Sequence, residues 1–184
     1  MNIIVSGGGT GGHIYPALTI IRAIQQHEPS AHILYVGGRN GLEADIVPRE
    51  GIDFIAMDLA GFQRSISIEN IGRAWRALRA VARARGIVHG FQPDVAIGTG
   101  GYVAGPILLA ASLAGVPTLV QEQNVFAGVT NRILAKFATA IAVGMEDARR
   151  VFPKEKTYVT GNPIRPEVLT ATREAGARAF GFDP

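Results

Sequence analysis

Residues 2–13 read Asn2-Ile3-Ile4-Val5-Ser6-Gly7-Gly8-Gly9-Thr10-Gly11-Gly12-His13, a short β-branched run that breaks abruptly into glycine. A strand that ends in a glycine turn and passes into helical spacing over 15–27 is the opening of a βαβ unit. The same alternation continues. Strands are predicted at 31–36, 52–57, 94–97, 118–120, 140–143 and 157–159, and helices at 41–50, 68–90, 105–114 and 127–137. Apolar strands joined by helices of this length require right-handed crossovers, hence a parallel sheet covered on both faces. The fold class is α/β, a doubly wound Rossmann-like domain.

Beyond the last strand, Gly161-Asn162-Pro163-Ile164-Arg165-Pro166 carries two prolines and cannot continue regular structure. One helix is predicted after it, over 167–180, with nothing of its own to pack into. The expected division is therefore a domain over 1–162, and an interdomain linker and helix over 163–184 leading into a second domain.

The bulk composition narrows the function classes. Hydrophobic residues make up 47% and charged residues 18%, as in an ordinary globular chain. Cysteine is absent, which removes disulfides, thiol nucleophiles and cysteine metal sites. The start, Met1-Asn2-Ile3-Ile4-Val5, lacks the basic and apolar regions of a signal peptide. No apolar run approaches the roughly 18 residues of a membrane span, because Gly105, Pro106, Gly115 and Pro117 interrupt the longest one. A net charge of +3 is mild for a nucleic-acid binder, and no nucleic-acid partner is expected.

Ligands of open α/β sheets collect outside the carboxyl ends of the strands, and three unusual turns fall there. The first contains G-x-G-x-x-G at Gly7, Gly9 and Gly12, where backbone N–H groups and a helix N-terminus favour negative charge. A dinucleotide site wants an acid at the end of the second strand, but that strand ends Val36-Gly37-Gly38-Arg39. Arg39 keeps an NADP-binding oxidoreductase open as an alternative. No Gly-Lys-Ser/Thr follows any glycine run, so a Walker-type loop is excluded. The second turn, Gly98-Thr99-Gly100-Gly101-Tyr102-Val103-Ala104-Gly105-Pro106, suggests a broad site for a ligand carrying a pyrophosphate. Tyr102 is either a sugar contact or a packing tyrosine. The third turn carries Gln121-Glu122-Gln123-Asn124, whose mixed donors and acceptors suit sugar hydroxyls.

Gly8 to His13 with Pro16, Gly100 to Pro106, Glu122-Gln123-Asn124, and Gly161 to Arg165 together resemble the MurG family, glycosyltransferase family 28, in order from Asn2 to about Val168. Two departures stand out. Gln121 replaces the family's usual histidine, and Ala104 stands where serine is frequent. The resemblance implies the N-terminal half of a GT-B glycosyltransferase. It implies inverting transfer of N-acetylglucosamine from UDP-N-acetylglucosamine (UDP-GlcNAc) to the 4-hydroxyl of an undecaprenyl-diphospho-N-acetylmuramoyl-pentapeptide. By position, Thr10, Gly11, Gly12, Asn124 and Arg165 match residues that touch the sugar nucleotide. Gly8, Gly9, Gly100, Gly101, Tyr102 and Gln123 are expected on the acceptor's diphosphate and sugar. The isolated half is expected to be inactive, and a non-catalytic module that binds lipid-linked sugar is the remaining alternative.

An inverting displacement needs a general base, and His13 at the rim of the first turn is the first candidate, imidazole being the side chain best suited to proton exchange near neutral pH. Glu122 is the second, with orientation of His13 as its other possible role. His27, His32 and His89 form no metal-ligand spacing, so no protein-bound metal or cofactor is expected. Finally, Ile71, Trp75, Leu78 and Ala82 share one face of the predicted 68–90 helix, beside Arg76, Arg79 and Arg83. That pattern is either a solvated face over the core or a docking face for anionic lipid. The resemblance favours docking, and with it a peripheral location on the cytoplasmic face of the bacterial cell membrane.

Overall fold

The computed structural model describes residues 1–58 and 70–182, with backbone alone over 70–78. Seven parallel strands form one sheet: β1 (Asn2–Gly7), β2 (His32–Gly38), β3 (Asp53–Met57), β4 (Val95–Gly100), β5 (Thr118–Glu122), β6 (Ala140–Val143) and β7 (Thr157–Val159). Their order is β3-β2-β1-β4-β5-β6-β7. The chain winds outward from β1 in one direction, crosses back to β4 and winds outward in the other. The switch point lies between β1 and β4, where two carboxyl-end loops meet.

Helix α1 (Gly11–His27) and helix α2 (Glu43–Arg49) cover one face through Ile14, Ala17, Leu18, Ile21 and Val47, against Ile3, Val5, Ile33 and Tyr35. The other face is covered by α3 (Asn70–Phe91), α4 (Ala104–Leu113) and α5 (Val129–Leu134), with Ala84, Val88, Ile107, Leu108 and Leu134 against Ile4, Val36, Val120 and Ile141. Small side chains, Ala80 and Ala84 on α3 and Ala110 and Ala111 on α4, are buried in this layer.

Several boundaries differ from the sequence expectation. Helix α1 begins four residues early, because Thr10 in extended conformation starts it and its carbonyl accepts from His13 and Ile14 N–H at 3.1 and 3.2 Å. Strands β4 and β5 run further than their apolar runs, so Gly98-Thr99-Gly100 and Gln121-Glu122 are strand residues, not turn residues. The single helix expected over 167–180 is two short ones, α6 (Pro166–Thr170) and α7 (Arg173–Ala179). Ala171 is extended between them, and the Thr172 hydroxyl accepts from Ala175 N–H to start the second. Neither buries a residue. On α3, Ala80, Ala84 and Val88 face the core, whereas Arg79, Ala82 and Arg83 are exposed. The side chains of Ile71, Trp75, Arg76 and Leu78 lie outside the described residues.

Candidate functional site

The site grows from the interlocking of the β1 and β4 loops. Gly8 N–H donates to the Gly100 carbonyl at 3.3 Å, and the Thr99 hydroxyl donates to the His13 carbonyl at 2.7 Å. A Cβ on Gly7 would collide with Thr99 Oγ1, one on Gly8 with the Glu43 carboxylate, and one on Gly101 with the Gly8 carbonyl. Gly100 has φ +108, and its Cβ would lie 2.8 Å from His13 Cδ2. These glycines are there because protein atoms leave no room for a side chain. Gly8 is buried, its amide is occupied, and it offers nothing to a diphosphate, contrary to the sequence expectation. Gly9 is exposed with φ +82, but its N–H donates to Glu43 Oε2 at 3.1 Å and the Tyr102 ring lies over it.

Gly11 and Gly12 differ. Beside Gly12 a Cβ would meet only Thr10 Oγ1, at 3.7 Å, and beside Gly11 only the Tyr15 ring, at 3.2 Å. The amides of Thr10, Gly11 and Gly12 have no partner among the described residues. They form the N-terminus of a 17-residue helix with no acid in its first turn. Free donors and the helix dipole together give this end of the site the chemistry that suits an anion.

His13 stands beside these amides. Its Nδ1 lies 3.1 Å from the Gly8 carbonyl, which can only accept, so the proton of a neutral ring sits on Nδ1. Thr10 Oγ1 is 3.2 Å from the same nitrogen. Nε2 is left with its lone pair and no partner among the described residues.

The β5 loop completes the rim. Glu122 is 1% exposed, and its oxygens accept from Asn124 N–H at 2.9 Å, Asn124 Nδ2 at 3.0 Å, Gly128 N–H at 3.0 Å and Asn131 Nδ2 at 2.9 Å. Four donors saturate the carboxylate, which therefore shapes the loop that presents Asn124. Asn124 itself is exposed, with Oδ1 unpartnered among the described residues. Gln123 Nε2 donates to the Thr99 carbonyl at 2.7 Å and to Gln121 Oε1, joining β5 to β4. Three buried atoms of this cluster, Gln121 Nε2, Gln123 Oε1 and Asn131 Oδ1, have no partner among the described residues.

Arg165 reaches the same edge. Its guanidinium stacks on Tyr15, 4.8 Å from the ring centroid, while Glu167 pairs with Arg22 at 3.1 Å. Asn162 Nδ2 donates to the Gln123 carbonyl at 3.2 Å. Residues 165–167 are thus laid across α1, with Arg165 on the ring that borders Gly11.

Sequence reasoning missed Glu43, Asn131, Tyr15 and Thr99. Glu43 was foreshadowed by its glycine neighbours Gly37, Gly38 and Gly41, which surround it. The Tyr35 hydroxyl donates to the Gly7 carbonyl at 2.7 Å, and burial, reinforced by Glu43, pushes this phenol well above its ordinary pKa. Arg39, the residue that kept NADP open, is paired with Asp58, whose carboxyl that hydrogen bond holds below its ordinary range. Among the described residues no group of three or more acidic or histidine side chains could hold a metal, and no helix is long and apolar enough to cross a membrane.

A doubly wound sheet with interlocked glycine loops at the switch point, a free helix N-terminus and a histidine at its rim defines a Rossmann-like ligand-binding domain of the glycosyltransferase type. The chain belongs to glycosyltransferase family 28: residues 3–143 match the Glycosyltransferase family 28 N-terminal domain. It is 51% identical over 181 residues to the UDP-N-acetylglucosamine--N-acetylmuramyl-(pentapeptide) pyrophosphoryl-undecaprenol N-acetylglucosamine transferase of Desulforamulus reducens, covering 98% of this chain and 49% of that protein. A protein of the same name from Pediococcus pentosaceus is 50% identical over 183 residues, covering 100% and 50%. The chain spans about half the length of the curated relatives it matches. Among solved structures, Acinetobacter baumannii MurG superposes with TM-score 0.75 at 28% identity, over 89% of this chain and 46% of that one. The UDP complex of S. aureus MnaA shares the fold, at TM-score 0.66 and 13% identity, over 88% and 45%.

Proposed function

We propose that this chain is the acceptor-side half of an inverting glycosyltransferase of peptidoglycan synthesis. Residues 1–162 form that half, and 163–184 lead toward a donor-binding domain. The enzyme moves N-acetylglucosamine from UDP-GlcNAc to the 4-hydroxyl of an undecaprenyl-diphospho-N-acetylmuramoyl-pentapeptide. The observation that carries this reading is His13, its Nδ1–H spent on the Gly8 carbonyl and its Nε2 lone pair open beside the free amides of Thr10, Gly11 and Gly12.

In this reading Nε2 takes the proton of the acceptor hydroxyl as its oxygen bonds to the donor's anomeric carbon and the bond to UDP breaks with inversion. Charge develops on the departing diphosphate, and a helix N-terminus is suited to stabilise it. Arg165 supplies a cation from the linker, and Asn124 supplies a polar group for a sugar. Glu122 is the scaffold of that loop rather than the base, because its oxygens are already saturated. Gly100 and Gly101 serve by seating His13 and Gly8, and Tyr102 by covering Gly9. An NADP site is disfavoured, since Arg39 is engaged and the Gly9 amide is taken.

Docking to anionic lipid on the cytoplasmic membrane face belongs to the same proposal. Helices α3 and α5 flank α4 on one face of the sheet. There Arg79, Arg83, Arg132 and Lys136 are exposed, together with Val129, Ile133 and Phe137.

The test joins this chain to the C-terminal half of a relative and supplies UDP-GlcNAc with a lipid-linked acceptor. Formation of a β-1,4-linked disaccharide, reduced about a hundredfold or more by His13→Ala, is expected. Full turnover in that variant removes His13 from the chemistry.

A further inference from the structure

We propose that Glu43 is the positioning residue of the first glycine loop, and that its buried carboxylate confines a ligand's diphosphate to the amides of Thr10, Gly11 and Gly12. This rests on the diphosphate reading above. Glu43 opens α2 and is 0% exposed. Oε1 accepts from Gly38 N–H at 2.9 Å and Oε2 from Gly9 N–H at 3.1 Å, so one side chain ties the end of β2 to the turn after β1. Gly8, Gly37 and Gly41 surround it, and a Cβ on any of the three would run into this side chain.

A buried carboxylate is costly, and two amide bonds offset that cost only in part. The two amides it holds call for two acceptor oxygens, which a carboxylate supplies, and the same group acts on the ligand in two ways. The Gly9 amide, which a dinucleotide turn would offer to a pyrophosphate, is already bonded. The negative charge beneath the β2 side of the loop repels an anion from Gly8 and Gly9, while the α1 N-terminus attracts it. The diphosphate is thereby placed on the His13 side of the loop.

The test is a titration of the ¹⁵N-labelled chain with inorganic pyrophosphate, followed by amide resonances. In the wild type, the Gly11 and Gly12 signals are expected to move while those of Gly9 and Gly38 stay fixed. A Gly9 shift as large as that of Gly12 overturns the proposal without any variant. In Glu43→Gln, with the repelling charge gone, the Gly9 signal is expected to move on addition of pyrophosphate by an amount comparable to that of Gly12. Gly8→Ala, which drives a methyl into the carboxylate and away from the Gly9 amide, should likewise let the Gly9 signal respond. A Gly9 signal that stays fixed in a folded Glu43→Gln also overturns the role. Pyrophosphate that moves no resonance in the wild type removes the diphosphate reading itself, and this role with it.

Discussion

Replacing Gly12 by alanine separates the two kinds of glycine in this site. Gly12 is the second residue of α1, and an added Cβ meets nothing nearer than Thr10 Oγ1 at 3.7 Å. Alanine is the better helix former, so Gly12→Ala should stabilise the fold by about 0.5 kcal/mol. At about 2–4 °C per kcal/mol for a domain of this size, the melting temperature rises by about 1–2 °C. The same methyl stands over the free amides, and forcing a phosphate away from one of them forfeits a charge-assisted hydrogen bond of about 1.5–3 kcal/mol. Pyrophosphate affinity should fall by about tenfold to a hundredfold. Gly100→Ala is the opposite case. At φ +108, with a Cβ 2.8 Å from His13 Cδ2, it pays about 1–2 kcal/mol for the left-handed backbone and about 1–3 for overpacking, and it melts lower by about 4–20 °C. Thermal melts and pyrophosphate calorimetry on both variants decide the matter. A Gly12→Ala protein that melts lower, or binds as wild type does, refutes the division. So does a Gly100→Ala protein of wild-type stability.

Glu122→Gln turns one acceptor oxygen into a donor facing donors, and should cost about 2–3 kcal/mol in denaturant unfolding. A change below about 0.5 kcal/mol would show that the four hydrogen bonds carry no weight. Because burial raises the Tyr35 phenol above its unfolded value of ~10, the folded state holds its proton longer. Stability is therefore full below that pH and falls as pH rises beyond it. Tyr35→Phe should flatten the fall in an alkaline denaturation series, and an identical slope contradicts the burial argument. Arg79→Glu with Arg83→Glu should weaken binding to vesicles containing anionic lipid at low salt, read by sedimentation. Equal binding discards α3 as a lipid-facing element.

The sheet was legible because its strands are apolar runs separated by strong punctuation, and the crossover rule then made it parallel and covered on both faces. The site was legible only in outline. Gly11 and Gly12 are poor helix formers, so periodicity placed the start of α1 four residues late and hid the free helix terminus. Gln121 and Glu122 are polar, and polarity read as turn, whereas hydrogen bonds to Asn124, Gly128 and Asn131 let Glu122 finish a buried strand. Thr172, a helix cap, broke what spacing alone joined into one helix. Glu43 looked like an ordinary acid at a helix start. Its meaning appears only when β1 and β2 lie side by side and their glycines close around it. Glycine runs were read as ligand loops at the carboxyl ends of the strands, and that is where they lie, but most of those residues make room for neighbouring protein atoms.

The central claim is that the free amides of Thr10, Gly11 and Gly12, beside His13, receive the diphosphate of a glycosyl-transfer substrate. Calorimetry of the chain joined to the C-terminal half of a relative, with UDP-GlcNAc and, separately, with NADPH, tests it directly. Saturable binding of UDP-GlcNAc, weakened about tenfold or more in Gly12→Ala, with no heat from NADPH, is the predicted result. Binding of NADPH with none of UDP-GlcNAc would contradict it.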